Sequence, residues 1–88
     1  MVKSALITGG AKRIGKEMAL SLAKKGWDIG LHYRNSLIEA ESTRERIEES
    51  GSLCKLFCAD LGNLQESVDM IKQVLIEFPR LDLMVLVF

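Results

Sequence analysis

Apolar and polar positions along this chain switch repeatedly between a short-run pattern and a helical one. Residues 4–8 form a brief apolar run that reads as a buried strand. After a glycine-rich turn, Ile14, Met18, Leu22 and Ala23 recur at helical spacing, and Lys24-Lys25-Gly26 supplies a basic last turn with a glycine stop. Residues 27–33 predict a second strand. Ser36-Leu37-Ile38-Glu39 has the form of a capping box, opening a helix that runs to Ser50 and stops at Gly51. Residues 53–59 predict a third strand. Asn63-Leu64-Gln65-Glu66 opens a third helix, with Leu64, Val68, Ile71, Leu75 and Phe78 on one face and Pro79 as its stop. Residues 81–88 close the chain as a fourth strand, apolar on both faces and so expected to be buried on both.

Strands alternating with helices in this way imply right-handed βαβ crossovers and a parallel sheet, an α/β fold. The 88 residues make one small domain spanning 1–88, with no linker, repeat or low-complexity tract. A chain of this length buries only about 60–65% of its unfolded surface, so its core is marginal.

Charge narrows the function. Lys plus Arg and Asp plus Glu number 12 each, and zero net charge argues against a dedicated binder of nucleic acid or membrane surface. The apolar run after the N-terminus is too short for a signal peptide, and no stretch approaches the roughly 20 apolar residues of a membrane span. A cytoplasmic protein is expected. Cys54 and Cys58, four apart on a strand, stand about 13 Å from each other, beyond disulfide reach. With a single histidine in the chain a zinc site is not expected either, and both cysteines read as small core residues. Trp27, Met18, Met70 and Met84 read as core too. The Arg/Glu run from 41 to 49 reads as a solvated helix face.

The turn Thr8-Gly9-Gly10-Ala11-Lys12-Arg13-Ile14-Gly15 carries the chemistry. A strand-to-helix turn rich in glycine gathers unpaired backbone N–H groups at one spot, and the helix dipole adds roughly half a positive charge there. Such a turn suits a phosphate or pyrophosphate. Gly9 permits the tight turn, and Gly15 lets the helix pack closely. The second strand ends His32-Tyr33-Arg34-Asn35-Ser36, without a carboxylate. A carboxylate at that place accepts ribose hydroxyls and repels a 2′-phosphate, whereas a basic residue does the opposite. Arg34 is thus placed to grip a 2′-phosphate, with Arg13 approaching from the other side and Asn35 and Ser36 as further donors. His32 reads as a strand histidine satisfied by packing, with a place near an adenine as the alternative. Asp60, after the third strand, reads locally as a turn initiator.

The turn resembles the Thr-Gly-x-x-x-Gly-x-Gly signature of the short-chain dehydrogenase/reductase family, with Arg13 where the middle glycine stands. The resemblance implies the first third of a Rossmann fold, strand order 3-2-1-4, with the first two helices on one face and the third on the other. It implies NADP(H) as cofactor, bound by Gly9, Arg13, Ile14, Gly15, Arg34, Asn35, Ser36, Asp60 and Leu61, with Asp60 reaching the adenine amino group. Gly-Ala-Lys-Arg-Ile-Gly together with Leu-His-Tyr-Arg-Asn-Ser resembles the pteridine reductase and dihydromonapterin reductase branch. Departures matter as much. The fourth strand does not run into Asn-Asn-Ala-Gly, and the family's catalytic Ser and Tyr-x-x-x-Lys are missing: the one tyrosine, Tyr33, has Leu37 four residues on. No catalytic residue and no metal ligand is therefore assigned.

The expectation is an N-terminal piece of an NADP-dependent short-chain reductase, inactive alone. Its parent would transfer hydride from NADPH to a carbonyl or pterin C=N bond of a small-molecule substrate. A non-catalytic nucleotide-binding or regulatory module and a ligand-free fragment are the alternatives. Residues 83–88 are six apolar residues in a row without charge or proline, an aggregation-prone edge. At about 1.5–3 kcal/mol per large side chain, their exposure forgoes roughly 10 kcal/mol. Self-association is expected.

Overall fold

The computed structural model describes residues 2–10 and 13–87. Seven elements follow one another: β1 (Ser4–Ile7), α1 (Arg13–Lys24), β2 (Asp28–Tyr33), α2 (Leu37–Glu49), β3 (Cys54–Cys58), α3 (Leu64–Glu77) and β4 (Leu83–Val85). The strands form one parallel sheet in the order β3-β2-β1-β4. This is the α/β arrangement expected, with each strand shorter than the apolar run that announced it.

Two cores sit on opposite faces of the sheet. On one, α1 and α2 cover Ala5, Ile7, Ile29, Leu31 and Cys54, with Ala19, Leu20, Ala23, Ala40 and Ile47 as the helical contribution. On the other, α3 alone covers Leu6, Phe57 and Ala59 with Met70, Val74 and Phe78. There the Phe57 and Phe78 rings meet edge to face at 6.4 Å, an arrangement favoured by the ring quadrupoles.

The helix faces match those expected only in part: Ala23 and Phe78 are buried and Ile71 packs against the core, but other positions differ. In α1 the buried residues are Gly15, Ala19, Leu20 and Ala23, while Ile14 is 68% exposed. Small residues four apart let the helix backbone lie close to the sheet, and the larger Met18 and Leu22 are left at the margin of the core. In α3 the ridge Met70, Val74, Phe78 takes the sheet, and Leu64 stands 80% exposed with Val68 and Leu75 also exposed. Asn63 does cap this helix, its side chain accepting the Glu66 N–H at 3.0 Å. Ser36 occupies the N-cap of α2 without making a side-chain capping bond.

Three further expectations are corrected. β4 pairs over three residues only and is largely exposed, and Met84 is not core but 44% exposed. An edge strand bonded on one side, with no helix laid fully across it, cannot bury both faces. Cys54 is buried but Cys58, at the carboxyl end of edge strand β3, is exposed. Trp27 is only partly buried against the core, with the Lys3 ammonium 5.5 Å above its ring.

Candidate functional site

In a parallel sheet every strand delivers its carboxyl end to the same edge. The chain moves from β1 outward to β2 and β3, then returns to the other side of β1 as β4. Ligands of open α/β sheets bind beside such a reversal. The segments gathered there are the turn after β1, residues 34–36 after β2 and residues 59–61 after β3.

The turn after β1 is fixed from both sides. Thr8 is buried and ties to β4: its N–H donates to the Val85 carbonyl at 2.9 Å, and its hydroxyl oxygen accepts the Val87 N–H at 2.9 Å. Gly9 follows with φ +62°, left-handed backbone that glycine adopts without cost. A Cβ on Gly15 would lie 2.5 Å from the Gly9 carbonyl oxygen, so α1 can begin against the turn only because Gly15 has none.

The N–H groups of Gly9 and Gly10 are not free for a ligand. Gly9 N–H donates to His32 Nδ1 at 3.0 Å and Gly10 N–H to the His32 carbonyl at 3.0 Å. What remains for an anion is the first turn of α1, whose opening N–H groups have no intrahelical acceptor. Ala11 and Lys12, part of the motif, lie outside the described residues.

Arg13 has φ +49°. A side chain in that region costs roughly 1–2 kcal/mol, which gives a physical reason for the glycine that the resembled pattern has there. Arg13 and the exposed Ile14 line an apolar groove of about 730 Å³ with Met18, Leu22 and Leu83, on the β4 side of α1.

Arg34 sits elsewhere, at the end of β2, and extends to Asp60. Its Nη2 lies 3.3 Å from Asp60 Oδ2, and its side chain is 64% exposed. Asp60 Oδ1 meanwhile accepts the Gly62 N–H at 2.9 Å, the turn role expected of it. The structure thus brings Arg34 and Asp60 together, 26 positions apart in sequence, and sets Arg13 in other surroundings. Asn35 is exposed and Ser36 half-buried. Leu61 is exposed, its carbonyl accepting the Ser67 hydroxyl at 3.3 Å. Desolvation, reinforced by the neighbouring Cys58, raises the pKa of the Tyr33 phenol.

Sequence reasoning missed two participants. His32 is the acceptor and donor that holds the turn, and Thr8 is the tie to β4. The motif's leading threonine was a signal for the second; the first, expected as a strand histidine satisfied by packing, is instead satisfied by hydrogen bonds to Gly9 and Ala59.

The model of the short chain dehydrogenase family matches residues 3–87. A 3-oxoacyl-(acyl-carrier-protein) reductase, FabG, of Staphylococcus aureus is 36% identical over 85 residues, which cover 97% of this chain and 35% of the relative. The crystal structure of acetoin dehydrogenase from Enterobacter cloacae superposes with TM-score 0.89 at 32% identity, covering 96% of this chain and 34% of that one. A protein of Burkholderia cenocepacia classed as a dehydrogenase and solved with bound NADP superposes with TM-score 0.91 at 27% identity, covering 97% of this chain and 33% of that one. The chain therefore spans about a third of the length of the relatives it matches. Among the described residues no helix is long and apolar enough to cross a membrane.

Proposed function

We propose that this chain, which belongs to the short chain dehydrogenase family, forms the NADP(H)-binding part of an oxidoreductase. One observation carries the choice of cofactor: the segment after β2 is Arg34-Asn35-Ser36, with an exposed guanidinium and no carboxylate where the adenosine ribose would lie. The first turn of α1 fits the pyrophosphate through its open N–H groups and the missing Gly15 Cβ. Asp60 and Leu61 at the end of β3 would flank the adenine, and the Arg34–Asp60 pair would open on the phosphate side to admit it. NADPH, when bound, supplies the hydride; the residues of this chain bind and orient it.

The whole protein's reaction is read as reduction of a carbonyl, in keeping with a reductase and an acetoin dehydrogenase among the relatives. A pterin C=N bond is the finer alternative, resting on the pairing of Gly-Ala-Lys-Arg-Ile-Gly with Leu-His-Tyr-Arg-Asn-Ser. A second reading, nucleotide binding without catalysis by the chain itself, is favoured by its single tyrosine lacking a lysine four positions on.

Calorimetric titration with NADPH and NADH tests the cofactor. NADPH is expected to bind more tightly, and Arg34→Ala to weaken NADPH by roughly 10–100-fold, the worth of one charge-assisted hydrogen bond, while leaving NADH nearly unchanged. Equal affinity of the unaltered chain for both cofactors would refute the 2′-phosphate reading.

A further inference from the structure

His32 hydrogen-bonds both the turn after β1 and the strand end after β3. Its ring is buried. Nδ1 lies 3.0 Å from the Gly9 nitrogen, and Nε2 lies 2.8 Å from the Ala59 carbonyl oxygen. Gly9 N–H can only donate and a carbonyl can only accept, so the two contacts fix the ring: Nδ1 bare, Nε2 carrying the proton, imidazole neutral. The backbone adds to the hold, since the His32 carbonyl accepts Gly10 N–H and the Tyr33 carbonyl accepts Ala59 N–H at 3.2 Å.

The consequence is positional. Gly9 is the left-handed residue that turns the chain from β1 into α1, and Gly15 packs on its carbonyl. Ala59 immediately precedes Asp60, which holds Arg34. We infer that His32 is a positioning residue for the dinucleotide site: one neutral imidazole sets the distance between the pyrophosphate turn and the adenine-side segment. This inference rests on the cofactor reading above. It adds that affinity depends on a side chain that never touches the ligand. Because His32 acts on the frame and not on the 2′-phosphate, its loss weakens NADPH and NADH alike.

Three variants separate the parts. His32→Asn places an acceptor near the Nδ1 position and keeps the Gly9 bond; His32→Gln places its amide near Nε2 and keeps the Ala59 bond; His32→Phe keeps volume and loses both. Nitrogen NMR of the 88-residue chain is expected to show the Nε2–H form. Amide exchange at Gly9, referred to Ile29 in the adjacent strand, is expected to quicken about tenfold or more in His32→Phe, the loss of a hydrogen bond to a buried N–H. It is expected to return toward the original rate in His32→Asn but not in His32→Gln. NADPH and NADH affinities should fall by the same factor in His32→Phe and recover in part in the amide variants. That pattern is the opposite of Arg34→Ala, which alters the ratio.

If His32→Phe does not fold, the Asn and Gln pair carries the comparison alone. Equal Gly9 exchange in both, or an Nδ1–H ring, would overturn the inference. So would unchanged cofactor affinity in all three variants. Should the unaltered chain bind neither cofactor, the functional reading fails, while Gly9 exchange still judges whether His32 sets the turn.

Discussion

The two faces of this sheet are built from the same strands yet are finished to different degrees. On the α1/α2 face, two helices enclose Ile7, Ile29, Leu31, Ala40 and Ile47, all fully buried. On the α3 face a single helix covers Leu6 and Phe57, while Leu64, Val68, Leu75 and Ile76 of the same helix remain exposed, as does Met84 of β4, which pairs with Leu6. A buried large side chain contributes about 1.5–3 kcal/mol; an exposed one contributes nothing until something covers it. The contrast places the larger enclosed core on the α1/α2 side and leaves one apolar ridge of α3 open on the other. The candidate site draws on both sides: Ala59, after β3, packs in the α3-side core, and His32 ties it to the turn after β1.

The sharpest way to break this comparison is to remove equal amounts of hydrocarbon from each side. Ile47→Ala, in the two-helix core, is expected to cost about 2–5 kcal/mol, a large share of the 5–15 kcal/mol available to a typical domain. Leu75→Ala on α3 is expected to cost less than about 1 kcal/mol, because the side chain is half in solvent and alanine favours the helix. Urea unfolding of both variants measures the difference. Comparable losses would mean that the α3 face is covered in solution.

The cysteines offer a chemical contrast within one face, between its buried interior at Cys54 and the exposed strand end at Cys58. Burial, with Glu48 adding to it, pushes the Cys54 thiol up to about 12 from an ordinary 9.0, whereas Cys58 is exposed. A thiol reagent at mildly alkaline pH should label Cys58 quickly and Cys54 only on unfolding. The linkage has a definite sign. The neutral thiol is favoured in the folded state, so the associated stability is complete below about 9 and is lost as pH rises from there toward about 12. The unfolded chain gives up that proton first. The urea midpoint should therefore fall between pH 8 and pH 10.5 (roughly, from the ordinary thiol range) by more in the unaltered chain than in Cys54→Ala. Equal falls would place Cys54 in a wetter setting than its burial implies.

How far the sequence foretold this arrangement follows from what periodicity can and cannot encode. The alternation of short apolar runs with helical spacing carried the element order, and Asn63 announced its cap. Strand order 3-2-1-4, by contrast, came with the resemblance, not the periodicity. The faces were less legible. The face expected for α3 ran through Leu64, Val68, Ile71, Leu75 and Phe78; contact with Leu6 and Phe57 keeps Phe78 and Ile71 but selects Met70 and Val74 in place of the rest. In α1, hydrophobicity favoured Ile14, Met18 and Leu22 beside Ala23, but close approach favours Gly15 and Ala19 beside Ala23. At the site, Gly9 and Gly10 looked like open donors because their acceptor, His32, is 23 positions from Gly9 in sequence. Arg34 and Asp60, each singled out separately, form a pair only through the adjacency of β2 and β3.

The smallest expected change in stability is the most telling about the unfinished side. Leu86→Lys lies beyond the paired part of β4 and Leu64→Glu at the start of α3, both where the side chain is exposed. Each should alter folding free energy by no more than about 0.5 kcal/mol. Their effects on self-association should nevertheless differ. An edge strand recruits a second chain through its unpaired backbone groups, and a lysine on that edge is the usual deterrent. Sedimentation velocity should show association of the unaltered chain suppressed by Leu86→Lys and little altered by Leu64→Glu. The reverse outcome would assign contact to the α3 ridge and not to β4. Suppression by both would mean that the two exposed regions act as one continuous surface, with the sheet's second face extending across α3 to the edge of β4.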